Sequence, residues 1–326
     1  MLKSKTGHLA VISLILLISL PLPAFAQDTT AQTRVTVRDD KNKESYTGTP
    51  VLWREPTDIE SRNLILGAGG DAMKPDLSSV TFIEEKKGGY STKYRVRDGA
   101  GNEWIAKLGK EAQPDTSANR LLWAIGYETE IAYLVPKLSI VGKGTFENVR
   151  LEARPKDVSR AAIWKWDDNP FKGTRELQGL KIMMALINNW DMKDDNNQIL
   201  ATKGDTSSGE LRYIISDLGG SFGKTGGIIS RSRNKPSDYV KANFVKAVKG
   251  DRIDFNYGGK NQKLFDNVTV QDAKWLTGYL GRLSDEQIKD AFRAANYLPE
   301  DVERLSRTVR ARIDELSNVS TSVAAN

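Results

Sequence analysis

Three short β-type segments parted by glycine turns, with a helix directly after them, constrain this 326-residue chain more than any other feature. Val80–Glu85, Tyr90–Arg97 and Trp104–Leu108 are rich in β-branched and aromatic residues. Gly88-Gly89 marks the first junction and Asp98-Gly99-Ala100-Gly101-Asn102 the second, as hairpin turns do. Pro114-Asp115 then opens a helix through Leu121, Leu122 and Trp123 to Gly126, with Asp115 placed to cap or charge its first turn. The order predicts a small antiparallel sheet with one helix packed on it. Lys107 falls on the third strand, and alternation sets it on the same face as Ile105. A lysine so placed is half-buried and needs a counter-charge, for which Asp115 and Glu111 are the candidates.

The remainder reads as α-rich. Thr174–Asn188 carries Leu177, Leu180, Met184 and Ile187 at helical spacing. Ile199-Leu200 and Arg212–Ser216 suggest a strand pair around a polar hairpin, and Ile253–Tyr257 a further strand. Three helical patterns follow at 271–281, 284–295 and 299–317. Ser284 and Gln287 have capping-box spacing, and Pro299 suits a first helical turn. Residues 27 to about 50 are polar and read as a mobile leader. Val51–Ile59 and Gly67-Ala68-Gly69-Gly70 read as a packing segment and a turn.

The N-terminus has its own logic. Lys3 and Lys5 precede an apolar run, Leu9–Leu20, and then Pro21-Leu22-Pro23-Ala24-Phe25-Ala26. That is the pattern of a signal peptide cleaved after Ala26, and the run is shorter than the roughly 20 residues a membrane span needs. The expected location is therefore exported, periplasmic or extracellular, with no transmembrane anchor after cleavage. The formal charge is +6, or +4 without Lys3 and Lys5 of the signal peptide. Charges of both signs are interspersed, so no nucleic-acid stripe is indicated. A monomer is expected.

The chain has no cysteine, and its one histidine, His8, lies in the expected signal peptide. Thiol and imidazole catalysis, and metal sites built on those ligands, are excluded from the mature chain. Chemistry must run on carboxylates, lysines, amides and hydroxyls, which suits hard cations and phosphates.

Two segments fit that requirement. Asn189-Trp190-Asp191-Met192-Lys193-Asp194-Asp195-Asn196 supplies Asp-x-Lys-x-x-Asn, and Ile215-Ser216-Asp217-Leu218-Gly219 ends an apolar strand on Asp-x-Gly. In phosphoryl transfer, such residues supply a base for the acceptor hydroxyl and oxygen ligands for magnesium. Asp191 would then orient or deprotonate the acceptor, with Lys193 near the transferring phosphate. Asn196, with Asn197 as a rival, would join Asp217 on the metal. Lys107 would hold the α- and β-phosphates, its ion pair serving alignment more than stability. Gly88, Gly89 and Ser91 offer amides and a hydroxyl to phosphate but lack Gly-x-Gly-x-x-Gly. Gly219–Thr225 resembles a P-loop one residue short, with no helix after it.

The run Asp115–Tyr127 with Pro136, together with Asn189-x-Asp191-x-x-x-x-Asn196 and Asp217-x-Gly219-x-x-Phe222-Gly223, resembles the atypical protein-kinase-like superfamily. The matching segments are those of its HipA-like, phosphatidylinositol 3/4-kinase-like and secretory-pathway members. The resemblance spans about residues 80–315 and is specific only in these segments. It implies an α+β, bilobal fold, with a small antiparallel sheet and one helix in an N-lobe (79–140) and a mainly helical C-lobe (141–318). A leader and packing segment (27–78) would precede them and a disordered tail (319–326) follow. It further implies ATP, Mg2+ or Mn2+, and transfer to a hydroxyl-bearing protein, lipid or small molecule. Asp115 stands where those families usually have glutamate, and their secreted eukaryotic members are disulfide-rich whereas this chain has no cysteine. A pseudokinase or envelope partner-binding protein, and nucleotidyl transfer on the same fold, are the competing expectations.

Overall fold

Alternation and tight turns make the expected sheet. β3 (Thr81–Lys86), β4 (Lys93–Arg97) and β5 (Glu103–Lys107) pair antiparallel in sequence order, as the glycine turns require. The computed structural model describes residues 34–204, 209–227 and 229–322. The expected signal peptide lies outside them, as does the middle of the polar hairpin after Thr202.

Two strands from the middle of the chain, whose β character the sequence reading passed over, complete this sheet. β6 (Ala132–Ile140) and β7 (Gly144–Ala153) form a hairpin, and β7 pairs with β5, giving the order β3-β4-β5-β7-β6. The sheet therefore continues past the boundary expected at residue 140. Val96, Trp104, Ala106, Val149 and Leu151 form its core. The helix α1 (Ala112–Ala124) packs beside β6 and β7, and turns Leu121, Leu122 and Ile125 into a second, larger core. It ends at Gly126, whose φ of 98° is the left-handed conformation helices favour just past the C-cap.

That larger core belongs to the rest of the chain. α2 (Arg175–Leu186) is buried on every side over its last three turns, Gln178 and Lys181 included. α4 (Val270–Leu280) and α6 (Pro299–Ser322) lie against it, α5 (Asp285–Arg293) packs on α6 and α1, and the short α3 (Pro236–Lys241) on α6. Ser284 and Gln287 form the expected capping box, with both reciprocal hydrogen bonds present. α6 runs through residues 319–322, which the sequence suggested as tail. The segment 219–263, read as mostly irregular, holds α3 and a hairpin of β11 (Val245–Lys249) and β12 (Arg252–Phe255).

A second five-stranded sheet overturns the reading of residues 34–50 as a mobile leader. β1 (Val35–Asp39) and β2 (Glu44–Val51) form a hairpin, and β2 pairs parallel with β10 (Glu210–Ile215). β9 (Asn197–Thr202) and β8 (Val158–Ala162) complete the order β1-β2-β10-β9-β8. Alternate residues Tyr46, Gly48 and Pro50 are buried, so a polar composition concealed a period of two. The α+β architecture is as expected, with its strands divided between two large sheets. Among the described residues no helix is long and apolar enough to cross a membrane.

Candidate functional site

Lys107 ends β5, flanked in register by Lys93 on β4 and Arg150 on β7. It is 3% exposed. Its Nζ lies 2.9 Å from Asp115 Oδ2, 2.8 Å from Asp217 Oδ1 and 3.6 Å from Glu111 Oε2. Both expected partners are thus in reach, Asp115 the nearer, because α1 starts just past the strand and sets both carboxylates beside its end. Asp217 closes the group from 110 residues away.

Burial works against the Lys107 ammonium, but Asp115, Asp217 and Glu111 outweigh it and hold it above its usual range. Burial is also the largest influence on Asp217, yet Lys107 and the Gly219 N–H keep that carboxylate below its usual range. Asp115, fully buried, is pushed up by desolvation against the pull of Arg150 and Lys107. Lys107 is therefore more deeply held than the half-buried strand lysine expected. Asp115 is fully buried and its other close cation is Arg150, at 3.6 Å, so Lys107 serves stability as well as alignment.

The second segment leaves α2 through Asn188, whose φ of 52° turns the chain sharply. Asn189 Oδ1 accepts the Asp191 N–H at 2.9 Å, and the Tyr257 hydroxyl donates to the Asn189 carbonyl at 2.8 Å. Asp191 is ion-paired to Lys193 at 3.2 Å and to Lys260 at 2.9 Å. Asn196 Nδ2 donates to the Asp191 carbonyl at 2.6 Å, and the Asn196 carbonyl accepts the Ser216 N–H at 2.7 Å. These bonds tie the 190–196 loop to the end of β10, where Asp217 projects. Asn197 is different: it begins β9, is fully buried, and donates to the Trp164 carbonyl. Asn196 faces the cleft and Asn197 does not.

Lys107, Asp191, Lys193, Asn196 and Asp217 all line one open cleft of ≈ 1220 Å³. Gly88 and Gly89 form its edge, both with positive φ, in a loop that a side chain would strain. Ser91 does not present its hydroxyl to the cleft as expected. It is buried and donates to Glu111 Oε2 at 2.6 Å. Glu111 is also paired to Arg233, whose guanidinium sits between the rings of Tyr90 and Trp190, 4.2 and 4.7 Å from their centroids. This clasp joins the glycine loop to the opposite wall. The P-loop look-alike is followed by no helix until α3, and Gly223 packs against the Ser232 backbone.

Several residues of the site escaped the sequence reading. Arg150 and Glu152 are buried on β7 beside Lys107, and Arg160 on β8 joins Glu152, Glu130 and the Ser216 hydroxyl. The signal was present: charges at positions 150 and 152 alternate with Val149, Leu151 and Ala153, so two charges share one face of a stretch whose other face is apolar. Arg233 and Lys260 carried no such signal, since they lie in loops whose course depends on distant contacts.

No family model matches the chain, and no curated protein does. Among solved structures it is similar to a proinflammatory kinase of Helicobacter pylori, CtkA, with 10% identity and a TM-score of 0.49 over 76% of this chain and 98% of that one. It is also similar to the Rio2 kinase of Chaetomium thermophilum, solved as an ADP/Mg2+–phosphoaspartate complex. There the identity is 14% and the TM-score 0.35, over 75% of this chain and 74% of that one.

Proposed function

We propose that this chain is an exported, protein-kinase-like phosphotransferase that moves the γ-phosphate of ATP to an acceptor hydroxyl with Mg2+ or Mn2+. One observation carries the reading. Lys107, Asp115 and Asp217, from three separate elements, meet at the wall of a cleft that also holds Asp191 and Asn196.

The residues present suit such ligands. Asp217 keeps 29% of its side chain exposed while its lysine partner keeps 4%, so the carboxylate has a face open to the cleft. The Asn196 amide nitrogen is committed to Asp191, which leaves Oδ1 as the group to offer a cation. Among the described residues no three carboxylates gather to hold a metal unaided. Asn196 and Asp217 would be the residues to hold a divalent ion, which would supply neutralisation of phosphate charge when bound.

The protein's own work is positioning. Asp115 and Glu111 hold the Lys107 ammonium where α- and β-phosphates can take it over from Asp217. Asp191, its backbone fixed by Asn189 and Asn196, accepts the proton of the acceptor hydroxyl at a carboxylate oxygen now occupied by Lys193 or Lys260. Lys193, 40% exposed, is free to swing toward the transferring phosphate. The Arg233 clasp brings the glycine loop over the cleft and limits water.

The test is transfer of label from γ-labelled ATP, first to the protein itself and then to a panel of hydroxyl-bearing peptides, lipids and small molecules. Asp191→Asn should abolish transfer and leave nucleotide binding intact. Nucleotide binding with no transfer to any acceptor would favour the pseudokinase reading. Export is tested separately, by secretion of a product whose N-terminus is Gln27.

A further inference from the structure

The segment between Asp217 and α4 carries a charge that the chemistry of the cleft leaves unused. Residues 218–269 hold ten lysines and arginines against four aspartates, the whole of the chain's formal excess of +6. This segment is bound to the loop that bears Asp191. The Lys260 N–H donates to the Trp190 carbonyl at 2.8 Å and Asn261 Nδ2 to the Met192 carbonyl at 2.7 Å. The Tyr257 hydroxyl donates to the Asn189 carbonyl at 2.8 Å.

A hollow of ≈ 350 Å³ opens in the segment, lined by Lys224, Lys241 and Lys246, all exposed. Asp254 is the one carboxylate on its wall, and it is paired to Lys246 at 3.3 Å and Lys249 at 3.5 Å. Asp238, which Lys224 reaches only at longer range, is paired to Lys235 at 3.2 Å and accepts the Ser232 hydroxyl at 2.7 Å. Lys224 and Lys241 have no ion-pair partner among the described residues.

Hollow and cleft share a strip of chain. Gly258 lines the hollow and Lys260 the cleft, so along this strip at most about 7 Å separates them. Arg231 crosses the same place. Its Nε donates to the Gly226 carbonyl at 3.1 Å, at the hollow, and its guanidinium carbon lies 5.4 Å from the Trp190 ring centroid, at the cleft. A line of positive groups thus runs from Lys193 and Lys260 at Asp191, past Arg231, to the lysines of the hollow.

Cations gathered this closely repel one another, and an anionic partner relieves that repulsion. The line is recessed in a cleft and a hollow, which a flexible chain with carboxylates at intervals can enter and a flat bilayer cannot. At Asp191 the fit is chemical as well. An acceptor hydroxyl that takes the Asp191 oxygen displaces Lys260, and a carboxylate beside that hydroxyl takes up the freed ammonium.

We infer that the partner of this wall is an acidic polypeptide segment. Its hydroxyl residue sits at Asp191, and aspartates or glutamates within a few positions of it lie along Lys260, Arg231 and the hollow of Lys224 and Lys241. Binding of the segment stands on charge and shape; its role as acceptor rests on the phosphotransferase reading.

The test is fluorescence anisotropy of two labelled serine peptides with the full mature chain, one flanked by glutamates and its counterpart by glutamines. The glutamate peptide should bind with a Kd on the order of 10 μM at low salt, at least tenfold tighter than the glutamine one, and should weaken as salt rises. Lys224→Glu combined with Lys241→Glu should weaken it at least tenfold. Lys74→Glu combined with Lys137→Glu makes the same change in net charge at exposed positions of the other half of the chain, and should leave binding unchanged. Equal affinity for the two peptides overturns the inference, as does equal weakening by the two pairs of reversals. Binding to phosphatidylglycerol vesicles that the glutamate peptide does not displace assigns the charge to a membrane and overturns it too. Binding of the glutamate peptide without transfer of label from γ-labelled ATP supports the docking line and counts against the phosphotransferase reading. Transfer to both peptides at equal rates does the reverse.

Discussion

Replacing Lys107 by methionine separates the structural role of this lysine from its chemical one. The substitution keeps the length of the side chain and removes the charge. It leaves Asp115, 0% exposed, facing Asp217 and Glu111 without the ammonium between them. Removing one partner of a buried ion pair costs about 3–5 kcal/mol, because the other charge stays buried. Two features place this case near the lower end: Arg150 still lies 3.6 Å from Asp115, and Asp217 can relax toward solvent. A loss of about 3 kcal/mol is therefore expected, read as a fall in Tm of roughly 6 °C or more. Adding Asp115→Asn to the methionine variant should return a large part of that loss, since an amide is far less costly to leave without the cation. Urea denaturation of the parent, both single variants and the double variant gives the coupling directly. A methionine variant within about 0.5 kcal/mol of the parent, near the error of such additivity tests, would refute this account of the buried triad.

Other consequences follow from the same geometry. Lys107 has a folded pKa raised above 10.5, so its stabilisation is complete below that value and is lost as pH rises through the folded one. Alkaline denaturation should accordingly steepen above about pH 10.5 in the parent more than in Lys107→Met. Asp217 has a folded pKa below 3.8, so its contribution is present above that pH and disappears as pH falls further; Asp217→Asn should flatten that limb of the acid curve. Gly126→Ala should destabilise by more than the roughly 1 kcal/mol of a left-handed alanine, because its Cβ would stand 2.2 Å from the Arg54 carbonyl; thermal denaturation reads this. Ser284→Ala should cost about 1 kcal/mol, by loss of the capping hydrogen bond to Gln287.

Local signals in the sequence translated well. The three strands, α1, the α2 helix and the Ser284 capping box all depend on neighbours within a few residues, and each is where its residues imply. Lys107, Asp115 and Asp217 could be suspected from short patterns, and the chain does bring them within 3 Å of one another through the lysine. What stayed hidden depends on distance along the chain. β2 is ordered by a parallel pairing of Thr49 with Glu210, which no local composition announces, so its polar residues read as a leader. Ser91 carries a hydroxyl suited to phosphate, yet Glu111 claims it. Arg233 reaches Glu111 across 122 residues, and only the folded loop reveals the pair.

The most direct measurement is calorimetric titration of the full mature chain with ATP, with and without Mg2+ or Mn2+. The parent should bind nucleotide only when a divalent ion is present, and Asp217→Asn should weaken that binding at least tenfold, about 1.4 kcal/mol. Absence of ATP binding with either ion, by a parent shown to be folded, would contradict the assignment of this cleft.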